Sequence, residues 1–239
     1  MTKGLLIDFG GTVDTNGRHW FRVFQDAYRE SRPDIPEETL RSAYVFAERY
    51  MGKNPVVGNG FNFSQTIRIK SELQAGFLRD NGIDFSETES SIVQEYCCCL
   101  VAENVQKVSR PVLERLSTRL PLVLVTNFYG NMHSVLAGLG LENLFSEVIE
   151  SAVVGIRKPD PLIFSLGVSA LGLPASEVVA VGDSYDKDII PAFNAGCRTV
   201  WLAGCGWQDG TGSTQITSEC HPDAVINDLR ELEPAIDSL

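Results

Sequence analysis

Three short apolar runs, each closed by a polar residue, restrict this chain more than any other feature. They are residues 4–8 (GLLID), 122–126 (LVLVT) and 178–183 (VVAVGD). Each is too short for a helix and shows no polar alternation, so each reads as a strand buried on both faces. Segments with helical spacing lie between them, and strands that alternate with helices are joined by right-handed crossovers into a parallel sheet. The expected class is therefore α/β. In such sheets ligands sit beyond the carboxyl ends of the strands, which is where these runs carry their polar residues.

From about residue 16 to 105 no convincing strand occurs. Trp20, Phe21, Val23, Phe24, Ala27 and Tyr28 recur at helical spacing. Residues 36–51 repeat the pattern, with Pro36 near the helix start and Leu40, Tyr44, Ala47 and Met51 on one face. Residues 53–63 (KNPVVGNGFNF) read as a loop, and helices are expected at about 64–80 and 87–107. The expected organisation is a parallel Rossmann-like sheet core from residues 1–15 and 106–239, interrupted by an all-helical insertion over residues 16–105. Beyond it, Ser109 is expected to cap a helix starting at Pro111. Further helices are expected near 131–139, 161–171 and 187–195, with strands near 146–150 and 198–202 and a short strand and helix at the end.

Charge and composition narrow the partners. The formal net charge of -11 argues against nucleic acid, whose phosphates need a basic face. The apolar run at the start ends on Asp8, far short of the roughly 18 residues of a membrane span, and does not read as a signal peptide. No membrane partner is expected, and a cytoplasmic location is the default. Six cysteines in 239 residues make no disulfide scaffold. Helical neighbours point about 100° apart, so Cys97, Cys98 and Cys99 cannot converge on one ion. Cys197, Cys205 and Cys220 lack paired spacing, and all six read as reduced thiols.

The strand ends bring Asp8, Thr126 with Asn127, and Asp183 with Ser184 to one rim, and the loop after the fourth strand adds Arg157 and Lys158. Carboxylates on one rim repel each other. A divalent cation and a lysine relieve that repulsion.

The segments LLIDFGGTVD, LVLVTN, GIRKPDPLIF and VAVGDSYDKDIIPAFNAG resemble, in order, the four motifs of the haloacid dehalogenase superfamily. The resemblance spans residues 1 to about 230, with the helical insertion in the place of the family's cap. It implies a hydrolase acting on a small phosphorylated metabolite with Mg²⁺. Asp8 would be the nucleophile that forms an aspartyl-phosphate. Thr126 would hydrogen-bond a phosphoryl oxygen, and Lys158 would neutralise charge on Asp8 and the phosphoryl group. Mg²⁺ would be held by Asp8, Asp183 and the main-chain oxygen of Gly10. Asp188, or Asp186 in its place, would steady Lys158 or the metal's water shell. Gly11, Asn127 and Ser184 would lie on the substrate side.

One position departs from that pattern. Phosphatases of the family carry a second aspartate two residues after the nucleophile, and this chain has Gly10. General acid–base help is typically worth about 10²–10⁴-fold, so weakened turnover is expected. Two other readings suit a glycine there. One is a carbon–phosphorus hydrolase resembling phosphonoacetaldehyde hydrolase, with Lys53 as its imine-forming lysine. The other is a phospho-ligand sensor without turnover. Asp14 is expected to hydrogen-bond the loop after Asp8, and His19 to start a helix in solvent. Trp20 is expected in the core, Lys53 and Lys70 as solvated side chains, and Asn59, Phe61 and Asn62 in a loop over the substrate.

Overall fold

The computed structural model describes residues 1–204 and 220–239. Six strands are defined there: β1 (Gly4–Ile7), β2 (Leu122–Thr126), β3 (Glu147–Glu150), β4 (Val178–Gly182), β5 (Arg198–Leu202) and β6 (Ala224–Ile226). They form one sheet in the order β3-β2-β1-β4-β5-β6, and every pairing is parallel. The chain is thus α/β and Rossmann-like. Leu6 sits at the centre, in register with Val123 on one side and Ala180 on the other.

β1, β2 and β4 are buried on both faces, which is why they read as unbroken apolar runs. Leu5, Ile7, Leu122, Leu124, Val179 and Val181 point into the larger core cluster, and Leu6, Val123, Val125 and Ala180 into the smaller one. Each fully buried aliphatic side chain contributes roughly 1.5–3 kcal/mol. The smaller core is covered by a helix, Leu162–Leu171, that carries Ile163 and Phe164. A Cβ on its Gly167 would come within 2.8 Å of Leu6, so the missing side chain sets how close this helix approaches the sheet.

Between β1 and β2 run five α-helices, the first four being α1 (Trp20–Ser31), α2 (Glu37–Lys53), α3 (Phe63–Asp80) and α4 (Glu87–Asn104). Capping boxes Asn62–Gln65 and Ser86–Glu89 start α3 and α4, each satisfying otherwise orphaned backbone donors. The remaining helices are α5 (Arg110–Ser117), α6 (Met132–Leu139), α7 (Ser151–Val154), α8 (Leu162–Leu171), α9 (Ile190–Asn194) and α10 (Leu232–Asp237).

Ser109 does not cap α5. It is itself helical, in a continuous run from α4 into α5, and its hydroxyl donates to the Val13 carbonyl at 2.6 Å. The Asn104 amide donates to the carbonyls of Val13 and Asp14 at 3.1 and 3.0 Å. These bonds tie the segment returning to the sheet to the one that leaves it. Across the boundary, the Asn131 amide donates to the Phe61 carbonyl and the Thr66 hydroxyl, both at 2.8 Å, and Ser134 donates to the Asn59 carbonyl at 2.9 Å.

No helix among the described residues is long and apolar enough to cross a membrane. Cys97 is buried, Cys98 half-buried and Cys99 exposed, the fan expected of helical neighbours. Cys197 and Cys220 are free and buried, and Cys205 lies outside the described residues.

Candidate active site

The strand order reverses direction between β1 and β4, and the rim at this switch point carries Asp8 and Asp183. Thr126 ends the neighbouring β2. All three border one cavity of about 860 Å³ between the sheet rim and the helices α1 to α3.

Lys158, which follows the third strand, β3, and not a fourth as expected, is the electrostatic centre of the rim. Only 4 % exposed, it donates through Nζ to Asp8 Oδ1 and to Asp188 Oδ1, each at 2.6 Å. Asp188 is fixed by its second oxygen, which accepts the Ser184 N–H at 3.0 Å. Its approach requires Gly182, because a Cβ there would lie 2.4 Å from the Asp188 side chain. Asn127 anchors Lys158 from behind: its amide donates to the Lys158 carbonyl at 3.1 Å, and its side-chain oxygen accepts the Lys158 N–H at 2.9 Å. Asn127 therefore acts here as a support for Lys158, although it also borders the cavity. The Ser184 hydroxyl accepts from Lys187 N–H at 3.3 Å and so steadies the turn before α9.

Ligand atoms of Asp8, Asp183 and Asp188 lie within 4.8 Å of one another. Three acids against one lysine leave an excess of two negative charges. Asp8 Oδ2 is buried without a hydrogen-bond partner, an expensive state for a carboxylate oxygen. Burial pushes the Asp8 carboxyl up to about 6, with Lys158 acting in the opposite direction and Asp188 adding to the rise. Burial, then repulsion from Asp188 and Asp8, raises Asp183 well above the carboxylate range. Burial opposes the charge of Lys158, but Asp188 and Asp8 outweigh it and the ammonium is held. Hard oxygen donors, an orphaned carboxylate oxygen and a charge excess of two fit a hard divalent cation.

The two glycines after Asp8 differ in kind. Gly11 has φ +99°, and a Cβ on it would stand 2.3 Å from Asp183 Oδ2, so only glycine lets the loop pass this carboxylate. Gly10 has φ −78° and ψ 108°, angles open to any residue, and a Cβ there would meet nothing within 4 Å. Asp14 holds the loop as expected, accepting the Gly11 N–H at 2.7 Å and the Trp20 indole N–H at 2.8 Å. Burial pushes its carboxyl up to about 7.

Three expectations for the insertion change. Trp20 is not only core: its ring borders the cavity and its N–H reaches Asp14. His19 starts α1, but it is half-buried, borders the cavity and accepts the Phe21 N–H on Nδ1 at 3.1 Å. Burial, then the charge of Lys187, lowers its pKa to about 4. Lys70 is not solvated. It is 7 % exposed and pairs with Glu48 at 2.5 Å, because α3 turns this position inward toward α2. Lys53, the candidate imine-forming lysine, is exposed, as expected, and borders the cavity as Asn59 does, whereas Phe61 and Asn62 do not. An imine-forming lysine must shed its proton. Burial opposes the Lys70 charge, but Glu48 holds it, so Lys70 is poorly suited to that chemistry.

Glu48 and Tyr129 were not legible as site residues. Tyr129 donates to Glu48 at 3.1 Å, and both border the cavity. A signal for Tyr129 existed, since it follows the β2 rim residues closely. Glu48 had none, because its neighbours on α2 read as an ordinary amphipathic face.

A family model for haloacid dehalogenase-like hydrolases matches residues 2–196. Phosphoserine phosphatase of Thermus thermophilus is 38% identical over 114 residues, 47% of this chain and 43% of that protein. Phosphoglycolate phosphatase of Yersinia pestis is 33% identical over 131 residues, 54% of each. The chain thus spans about half the length of the curated relatives it matches. The structure of L-2-haloacid dehalogenase from Xanthobacter autotrophicus, with chloropropionic acid covalently bound, aligns over 100% of both chains. Its TM-score is 0.64 at 18% identity, a likeness of fold.

Proposed function

The chain belongs to the haloacid dehalogenase-like hydrolase family, and we propose that it is a Mg²⁺-dependent phosphohydrolase that works through an aspartyl-phosphate on Asp8. The observation that carries this reading is Lys158 clamped between Asp8 and Asp188, with the other Asp8 oxygen left unpartnered beside Asp183. Asp8, Asp183 and the main-chain oxygen of Gly10 would hold the cation, with Asp188 as the further acid within reach. When bound, Mg²⁺ supplies positive charge against the phosphoryl oxygens. Phosphatase relatives support a small phosphorylated substrate, and the four-helix insertion would act as the cap over it.

In the first step an Asp8 oxygen forms a bond to phosphorus while the bond from phosphorus to the leaving oxygen breaks. Lys158 would offset the charge gathering on Asp8 and the phosphoryl group, and Thr126, which borders the cavity, would donate to a phosphoryl oxygen. The leaving oxygen must then take a proton, and in the second step water must lose one as it displaces Asp8 from phosphorus. Gly10 offers no group for either transfer. Of the other acids at the rim, Asp14 already accepts two N–H groups, Asp188 is held by Lys158 and the Ser184 N–H, and Asp183 would hold the cation. The first step therefore runs well only when the leaving group is acidic, and the phosphoenzyme accumulates.

With p-nitrophenyl phosphate and Mg²⁺, a burst approaching one nitrophenolate per chain is expected, followed by slow turnover. Asp8→Asn should abolish the burst. No burst together with no Asp8-dependent turnover overturns the proposal.

Mg²⁺ binding has its own pH signature. Asp8 and Asp14 keep protons in the folded chain up to about 6 and 7, whereas the ordinary value is 3.8. Between these values the folded state binds more protons than the unfolded state, so metal-free stability falls as pH rises from about 4 to about 7. Mg²⁺ competes with the Asp8 proton, so its gain is larger at pH 8 than at pH 5.5. At 100 times its Kd it should add about 2.7 kcal/mol, raising Tm by roughly 5–10 °C. Asp183→Asn should lose most of that rise. A Tm at pH 8 unmoved by millimolar Mg²⁺ counts against the metal assignment.

A further inference from the structure

The same cavity carries cations that nothing in the chain neutralises. The net charge is -11, and most Lys and Arg side chains pair with a carboxylate. Among the described residues, the exposed Lys53, Arg157 and Lys187 have no such partner, and all three border the cavity. Arg157 precedes Lys158 and Lys187 precedes Asp188, the two residues joined at 2.6 Å beside Asp8. Each backbone position is thus about 3.8 Å from one that holds the rim. Arg157 reaches across to the insertion: a Cβ on Gly52, in the last turn of α2, would lie 3.8 Å from its Nη1. Lys53 is the next residue of that turn. Lys187 is near enough to His19, at the start of α1, to oppose its protonation. Glu48 does not cancel these charges, because Lys70 already neutralises it.

The free cations and the missing acid at Gly10 bear on the same atom, the leaving oxygen. An alkyl ester departs as an alkoxide and needs a proton, which Gly10 cannot give. A phosphate departing from an anhydride is already a stable anion and needs only its charge offset. Three uncompensated cations beside the rim can do that. A second anionic group on an alkyl ester would gain the same attraction, but its leaving oxygen would still lack a proton.

We propose that the substrate is a phosphoanhydride, a diphosphate whose terminal phosphoryl group passes to Asp8 and whose inner phosphate departs among Lys53, Arg157 and Lys187. This extends the reading of Asp8 as the phosphoryl acceptor and rests on it. An Asp8 oxygen bonds to the terminal phosphorus, and that phosphorus loses its bond to the bridging oxygen. The bridging oxygen keeps the electron pair and leaves as part of a phosphate anion, with no proton moved. Water then cleaves the aspartyl-phosphate slowly, whatever the donor was. The cavity of about 860 Å³ leaves room for an organic group on the inner phosphate. The chain would thus differ from its phosphoserine and phosphoglycolate phosphatase relatives, whose named substrates are esters.

The test is the first turnover, read as radiolabelled phosphoenzyme trapped by rapid acid quench with Mg²⁺ present. ADP and pyrophosphate are compared with fructose 1,6-bisphosphate, an ester that also carries a second phosphate. The diphosphates are expected to form phosphoenzyme at least about 10²-fold faster, the lower end of what a missing general acid costs an ester. Arg157→Gln and Lys53→Gln should each slow ADP about 10-fold more than they slow p-nitrophenyl phosphate, whose leaving group carries no second phosphate. Arg157→Lys, which keeps the charge, should retain most of the ADP rate. Fructose 1,6-bisphosphate matching the diphosphates overturns the proposal, and so does equal slowing of ADP and p-nitrophenyl phosphate. A nitrophenyl burst with no phosphoenzyme from either diphosphate also overturns it, yet leaves the phosphohydrolase reading standing. Absence of phosphoenzyme from every donor removes both.

Discussion

Gly10→Asp is expected to raise steady-state hydrolysis of p-nitrophenyl phosphate by about 10²–10⁴-fold and to shrink the burst. The backbone there already has φ −78° and ψ 108°, and a Cβ meets nothing within 4 Å, so the substitution needs no rearrangement of the loop. Gly10 borders the cavity, which puts a carboxylate where the leaving oxygen and the attacking water need a proton carrier. A fourth acid adds repulsion to Asp8, Asp183 and Asp188, so the gain should require Mg²⁺. Gly10→Asn tests shape without acidity and should leave the burst as it is. A folded Gly10→Asp protein, checked by its melt, with no gain on any phosphate ester would show that the slow step lies elsewhere.

Lys158→Met is expected to remove the burst, slowing phosphoenzyme formation by about 10²–10³-fold, the usual loss for one donor at developing charge. It should also destabilise the fold. Lys158 lies between two buried carboxylates, and removing one partner of such a cluster costs about 3–5 kcal/mol. Without the ammonium, the Asp8 carboxyl rises further above about 6, because the lysine is the main influence holding it down. The loss should therefore be large at pH 8 and smaller at pH 5.5, where the acids can be protonated. Mg²⁺ should restore part of it at pH 8. A variant with the parent burst, or a stability loss indifferent to pH, would contradict the role given to Lys158.

The rim was legible because it follows from local pattern. A strand buried on both faces has no polar residue to spare, so a polar residue at its end marks the rim. Asp8, Thr126 and Asp183 are found this way, and the pairing of Leu6 with Val123 and Ala180 explains why the runs line up. Helix periodicity found α1 through α4 but misjudged what their faces meet. Lys70 read as a solvent residue and is buried, and Ser109 read as a cap and lies inside a helix. Asn127 reached the rim as expected, yet its amide holds the Lys158 backbone.

By itself the sequence determined the α/β class, the parallel sheet and the run of helices between β1 and β2. These depend on burial and periodicity, which act over a few neighbouring positions. Only the tertiary structure decided that Gly10 is free to change and Gly11 is not, since a side chain on the second meets Asp183, far along the chain. Only it decided that Lys158 bridges Asp8 and Asp188, and that Lys70 is buried in an ion pair with Glu48. Each of these depends on distances between residues remote in sequence. Electrostatic and steric interactions act through space, and no local pattern encodes the separation between two helices and a strand end.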